Sequence, residues 1–402
     1  MWMRKGLVGL VVMVLMGAAG LLWLLWGEHK AETWLPHPTG PFAVGRTIYT
    51  WNDAAQTDPL APVPGTRREL VAWIWYPSVN VRSRATTDYL PTAWRAAVER
   101  ERGVLITQFI TRDLSRVRVH SLLDPELSSQ QKTYPVVIMR AGLAALTAEY
   151  STLAEDLASH GYVVVGFDAS FRTAVVVFPD GRVVTRTPEN NPDIVSGAEQ
   201  EHMIQKLLAA WTSDMAFALD QLEHLNTADP AGRFTGRLDL QRVGVFGHSL
   251  GGAAAAQFCH EDSRCKAGID IDGAPYGSVI NEGLRQPFMF LLSDHGAASD
   301  PAARRIEANI HAIYDRLSPE KRLWVAIRGA NHFGFSDGAL VKSQRLQRVL
   351  RMLGVIGIDG RQQLSITSYY VHTFFDVYLK GAPSSALHHP PAEVALEIQR
   401  GQ

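Results

Sequence analysis

A serine hydroxyl attacks a carbonyl efficiently only when a base takes its proton, and the base works best when an acid fixes its tautomer and balances its charge. The chain of 402 residues carries the types and the order needed for that chemistry. The serine is Ser249, in the stretch RVGVFGHSLGGAAAA (242–256), where a short apolar run ends in Gly247-His248-Ser249-Leu250-Gly251 and small residues follow. A strand that turns sharply into a helix forces the turn residue into a strained conformation and projects its side chain from the sheet edge. Only glycine tolerates the close approach two positions either side, which is the logic of the G-x-S-x-G elbow. The helix then starts beneath Ser249, so its first amides and its dipole favour developing negative charge. A capping serine in a plain strand–helix turn is the bland alternative. The apolar run before it and the small-residue helix after it favour the elbow.

The base is expected in a loop after the last core strand. RLWVAIRGANHFGFSDG supplies His332 there, and none of the other 13 histidines follows that strand in the same way. Two acids sit at strand ends: Asp272 after KAGIDI and Asp294 after PFMFLLS. Asp270 shares the face of Asp272 but lies inside its strand. The usual α/β-hydrolase acid follows the later strand, which favours Asp294, yet the pattern alone leaves both open. Phe333 and Phe335 flank the base, either at the mouth of a pocket or in the core.

These residues need a scaffold, and the apolar runs provide one. ELVAWIWYP (69–77), YPVVIMR (134–140), GYVVVGFD (161–168), RVGVFG (242–247), KAGIDID (266–272), PFMFLLSD (287–294) and RLWVAIRG (322–329) read as strands. Several are continuously apolar, as expected for strands covered on both faces. Helical patterns at 148–161, 202–226 and 365–381 alternate with them. That alternation predicts an α/β class, with a mostly parallel central sheet flanked by helices. Residues 170–200 read as an insertion, with AVVVFPDGRVVTR as a small hairpin around a Pro-Asp-Gly turn.

The N-terminus stands apart. Residues 1–5 form a short basic start, and 6–27 (GLVGLVVMVLMGAAGLLWLLWG) carry no charge over 22 positions, against about 20 needed to cross a bilayer. This reads as one N-terminal transmembrane signal-anchor, with a cleaved signal peptide as the alternative. Arg4 and Lys5 place the N-terminus in the cytoplasm and the catalytic domain outside, periplasmic or extracellular, or secreted if the signal is cleaved. Residues 28–40, with Pro36, Pro38 and Gly40, read as a linker, and 41–402 as one catalytic domain. Cys259 and Cys265 are the only cysteines. In an oxidising compartment they pair and tie a helix end to the next strand; two buried thiols are the alternative. Net charge is −1 and the basic residues are dispersed, so no nucleic-acid partner is expected. No metal or cofactor is expected either: His388-His389 has no ligand spacing around it, and Lys206 and Lys266 read as surface residues.

Taken in order, the motifs resemble those of the platelet-activating factor acetylhydrolases of the plasma and intracellular type II kind. The resemblance covers most of residues 38–380: TGPFAVGRTIYTW with VAWIWYP, YPVVIMRAGLAALTAEYSTLAEDLASHGYVVVGFD, GHSLGGA, AGIDIDG and IRGANHFGFSD. It implies an α/β-hydrolase fold and a serine ester hydrolase acting through an acyl-enzyme on short or oxidised acyl esters, as of phospholipids at sn-2, near a membrane. It also moves the acid to Asp272, 272 − 249 = 23 residues beyond the serine, with Asp294 held as the alternative. The oxyanion donors it implies are the backbone amides of Leu143 and Leu250. Two departures bear on substrate. Ala141, preceded by Arg140, stands where the family commonly has histidine before the oxyanion-loop glycine, and Gly273-Ala274 replaces a bulky aromatic after the acid. A general carboxylesterase or polyester-cleaving enzyme of the same fold is the alternative. A catalytically dead, membrane-tethered binding protein is the alternative of another class.

Overall fold

The computed structural model describes residues 2–79, 85–293, 301–354, 357–388, 390–391 and 398–400. Fourteen strands lie along the described chain: β1 (Thr33–Trp34), β2 (Ala43–Thr57), β3 (Arg67–Ser78), β4 (Thr86–Asp88), β5 (Val117–Leu123), β6 (Tyr134–Arg140), β7 (Val163–Ala169), β8 (Val175–Val177), β9 (Val183–Thr185), β10 (Leu238–His248), β11 (Cys265–Ile271), β12 (Phe288–Ser293), β13 (Arg322–Ile327) and β14 (Ile398–Arg400). Twelve of them form one sheet, whose path runs β1-β5-β2-β3-β7-β6-β10-β11-β12-β13-β14, with β4 beside β5. From β7 to β13 every neighbour is parallel. The antiparallel pairs β2–β3, β3–β7, β4–β5 and β13–β14 lie towards the two edges.

The seven apolar runs read as strands are all strands, and β6 occupies the expected 134–140. They are continuously apolar because both faces are covered. On one face β6, β10 and β12 turn Val136, Ile138, Val243, Val245, Phe288 and Phe290 against the helices Gly197–Thr227 and Leu250–Glu261. On the other, Val137, Met139, Ile269 and Leu291 meet Ser151–Ser159 and Gly360–Lys380. The expected hairpin is present as β8–β9, with Gly181 at φ 87° in its turn. Its neighbour Arg172 is fully buried. It bonds Asp58 at 2.7 Å and Asp214 at 2.7 Å, which ties the inserted region to the long helix.

The first helix, Trp2–His29, is longer than the 6–27 span. Its large apolar side chains are exposed: Trp23 72 % and Trp26 49 %. Residues 28–40, read as a short linker, are docked against the body of the protein. The Glu28 carboxylate is buried, accepts from Ser343 Oγ at 2.6 Å and the Gln344 amide at 2.7 Å, and faces Arg112 at 3.6 Å. His29 Nδ1 bonds the Thr111 carbonyl, β1 pairs with β5, and Thr39 and Gly40 bond Asp156 and Ser159. Proline and glycine signal an irregular backbone but say nothing about whether that backbone finds partners.

Cys259 and Cys265 form a disulfide that joins the end of the helix Leu250–Glu261 to the start of β11. Serine at both positions is expected to lower the unfolding free energy by about 2 kcal/mol, the loop-closure value for so short a loop. Urea midpoints of the two proteins without reductant would check it.

Candidate active site

The strand order β6-β10-β11-β12-β13 sets five carboxyl ends side by side. In open α/β sheets this is where ligands bind, because the loops leaving adjacent strands converge there. Gly142 and Leu143 follow β6, Ser249 follows β10, Asp272 follows β11, Ser293 ends β12 and His332 follows β13.

Ser249 has φ 58° and ψ −128°, a conformation rarely adopted by a side-chain-bearing residue. Its amide bonds the Ile271 carbonyl at 2.9 Å, and its own carbonyl accepts from Gly252 and Ala253, which anchors both sides of the turn. The glycines around it are sterically required. A Cβ at Gly247 would overlap the Gly251 carbonyl, and one at Gly251 would overlap the Arg140 carbonyl.

His332 Nε2 lies 3.0 Å from Ser249 Oγ, and its Nδ1 lies 2.7 Å from Asp272 Oδ2. A carboxylate only accepts, so Nδ1–H donates to Asp272 and the bare Nε2 faces the serine hydroxyl. The Asp272 carboxylate is fully buried. Its Oδ1 accepts from the Ser293 amide at 2.8 Å and the Ser293 hydroxyl at 2.9 Å. Asp294 lies outside the described residues. The arrangement brings a hydroxyl, an imidazole and a carboxylate into one line of bonds, with the polarity needed to move a proton off the serine.

Leu250 is the first residue of its helix, where amides have no intrahelical partner. The loop after β6 packs against the serine: a Cβ at Gly142 would lie 3.3 Å from Ser249 Cβ. Leu143 is half-buried in that loop, and Ala144 beside it has φ 61°. The loop is held at both ends. Arg140 is buried with its guanidinium 3.9 Å from the Trp211 ring, where burial lowers it to about 10. Thr147 donates twice to Asp168 Oδ1, and Trp73 Nε1 donates to Asp168 Oδ2. Phe333 is 65 % exposed beside His332, whereas Phe335 is fully buried against His248, so only Phe333 is available to a ligand.

Sequence reasoning passed over Ser293, Tyr150 and His248. Ser293 had a weak signal, as a polar residue closing the apolar run of β12. His248 was quoted only as the second residue of the pentapeptide. It is buried between Tyr150 Oη, 2.7 Å from Nδ1, and the His332 carbonyl, 2.9 Å from Nε2. A carbonyl only accepts, so Nε2 carries the proton, Nδ1 accepts from Tyr150, and Tyr150 in turn accepts from the Gly142 amide at 3.2 Å. One line of bonds therefore links the loop after β6 to the loop carrying His332. Burial first, and then the neighbouring His332, push His248 down to about 3. An unfolded histidine titrates at about 6.5. Between these values the unfolded chain takes up a proton that the folded chain refuses, so stability falls as pH drops from 6.5. One such proton contributes up to about 1.4 kcal/mol per pH unit. Urea unfolding between pH 7 and pH 5 is expected to show a shallower acid loss in His248→Gln than in wild type.

The family "Platelet-activating factor acetylhydrolase, isoform II" matches residues 28–380. A probable 1-alkyl-2-acetylglycerophosphocholine esterase of Arthroderma benhamiae is 25 % identical over 385 residues, covering 89 % of this chain and 92 % of its own. A platelet-activating factor acetylhydrolase of Cavia porcellus is 24 % identical over 372 residues, covering 87 % and 78 %. Among solved structures, a ferulic acid esterase from Streptomyces cinnamoneus superposes with a TM-score of 0.75 at 25 % identity, over 92 % of this chain and 100 % of that one. The chain belongs to the platelet-activating factor acetylhydrolase, isoform II, family and is a carboxylic ester hydrolase.

Proposed function

We propose that Ser249 is the nucleophile, His332 the general base and Asp272 the residue that orients and balances the base. The line of bonds from Ser249 through His332 to Asp272, at 3.0 Å and 2.7 Å, carries this reading. The hydroxyl adds to the ester carbonyl while its proton passes to His332 Nε2. The carbonyl oxygen becomes an oxyanion facing the amides of Leu143 and Leu250, donors of the kind whose loss typically costs ~10²–10³ in turnover. The intermediate collapses, the C–O bond breaks, and the alcohol leaves with the proton from His332. Water then attacks the acyl-Ser249 ester, with His332 again as base, releasing the acid and restoring the serine. Every proton is shuttled by His332, so these steps need no cofactor.

The substrate we propose is a phospholipid with a short or oxidised sn-2 acyl chain, taken at a membrane. The relatives' names and the exposed apolar side chains between Val11 and Trp26 of the first helix support it. Residues 11–29 of that helix have a mean hydropathy of 1.8, so we read it as an anchor that leaves the catalytic domain outside the cytoplasm. The Cys259–Cys265 disulfide is consistent with an oxidising compartment. A second reading is a general carboxylesterase, favoured by the ferulic acid esterase superposition and by Gly273-Ala274 after the acid, in place of a bulky aromatic. The full chain in detergent, given acetyl to long-chain esters and a phospholipid with a short sn-2 chain, separates them. Hydrolysis of the phospholipid, abolished in Ser249→Ala, is the expected result. Cleavage of soluble esters alone would leave the general esterase.

A further inference from the structure

Away from the serine, three side chains with metal-binding atoms converge: Asp156, His160 and His372. Asp156 lies in the helix Ser151–Ser159, His160 follows that helix, and His372 lies in the helix Gly360–Lys380. We propose that these residues bind one zinc ion that staples the segment leading out of the N-terminal helix to the body of the catalytic domain.

The geometry comes first. One ligand atom from each of the three lies within 4.8 Å of the others. Tetrahedral zinc, with Zn–N and Zn–O near 2.0–2.2 Å, sets its ligands roughly 3.4 Å apart. The side chains therefore need to close by about an ångström and a half at most. The two imidazoles stack at 3.9 Å, inclined by 15°. His372 Nδ1 is 2.8 Å from Asp156 Oδ2. His160 Nε2 is 2.8 Å from Thr39 Oγ1, which is itself 2.7 Å from Asp156 Oδ1. Thr39 thus stands where a fourth ligand, its hydroxyl or a water, completes the set.

Charge supplies the second argument. The Asp156 side chain is only 4 % exposed, yet among the described residues no lysine or arginine pairs with it. The partners it bonds are the Thr39 amide and hydroxyl and His372. The nearby ammonium of Lys380 is taken by Asp376 at 2.9 Å. A buried carboxylate without a fixed cation is costly, and a divalent ion between two imidazoles supplies the missing charge. Asp376 Oδ2, 3.8 Å from His160 Nδ1, is placed as the outer carboxylate that metal-bound histidines commonly use. Two nitrogens and one carboxylate form a donor set suited to zinc rather than to calcium or magnesium. Binding is a Lewis adduct without redox: His372 shifts its proton to Nε2 and gives Nδ1 to the metal, His160 shifts its proton from Nε2 to Nδ1, on the side of Asp376, and gives Nε2, and the Thr39 hydroxyl keeps its own.

The test is zinc alone, titrated calorimetrically into the full chain in detergent after chelator treatment. Wild type is expected to bind one zinc per chain with Kd below about 10 µM and to melt at a higher temperature with zinc than without. His160→Ala and His372→Ala are each expected to weaken binding at least tenfold and to lose the melting shift. His388→Ala, on a separate surface histidine, should leave both unchanged. Esterase turnover within about twofold of wild type certifies that the variants are folded. Should His372→Ala fail to fold, His160→Gln removes one ligand while leaving a polar group beside Thr39. No saturable binding by wild type, or binding that survives loss of both histidines, would overturn the proposal.

Discussion

Ser249→Ala is expected to lower kcat/KM for a short-chain ester by about 10⁴–10⁶ while leaving the fold intact. The size follows from the role: without the hydroxyl no acyl-enzyme forms, and only the oxyanion donors and substrate binding remain to assist attack by water. The fold is expected to survive because, among the described residues, the bond of Oγ is to His332. The turn itself is held by backbone groups, the Ser249 amide on Ile271 and the Ser249 carbonyl on Gly252 and Ala253. Alanine adopts φ 58° no less easily than serine does. Turnover of a nitrophenyl acetate, with a melting curve as fold control, reads the effect. An organophosphonate is expected to add one covalent mass to wild type, mapped to Ser249, and none to the variant. Residual turnover within tenfold of wild type would place the nucleophile elsewhere. No turnover and no labelling in either protein would favour the tethered binding protein.

Asp272→Asn is expected to cost about 10⁴ in kcat. Asparagine preserves the shape, but its two ends are no longer equivalent. The Ser293 amide donates to Oδ1 alone while its hydroxyl reaches both oxygens, so the asparagine oxygen turns to that amide and its NH₂ turns to His332. The imidazole must then accept at Nδ1 and carry its proton on Nε2, opposite Ser249 Oγ. The base is lost to the wrong tautomer, and no carboxylate balances an imidazolium. Asp294→Asn is expected to change kcat by less than about threefold, because Asp272 already occupies the Nδ1 side of His332. The reverse pattern would make Asp294 the acid. The two single variants, measured from pH 6 to pH 9 on one ester, therefore decide between the candidates.

The elements that carry chemistry were legible because each leaves a local mark. The elbow needs glycines that the chain cannot replace, and Gly247 and Gly251 show why in their contacts with neighbouring backbone. Strands covered on both faces need unbroken apolar runs, and these fixed β6, β7 and β10–β13 within a few residues. The place of His332, the proposed base, after the last core strand followed from the order of elements alone. The acid did not. Asp272 and Asp294 both follow apolar runs, the usual place of the acid in such folds favours the later one, and the pattern alone leaves both open. Family resemblance favoured Asp272, and in the structure its carboxylate meets His332 Nδ1.

What tertiary structure decided are relations between residues far apart in sequence, whose side chains carry no periodic signal. Residues 28–40 read as a linker because proline and glycine break local structure. Their partners include Thr111, Arg112, Val117, Asp156, Ser159 and Ser343. His248 and Tyr150 are 98 positions apart, and only the packing of β6 against β10 brings the loops that hold them together. Phe333 and Phe335 are two residues apart and chemically identical, yet one is exposed and one is buried, because a single short turn sends them in different directions. Residue type and spacing determined which chemistry the chain supports. The three-dimensional path of the backbone determined which groups hold that chemistry in place, because hydrogen bonds act across a few ångströms regardless of the sequence distance they span.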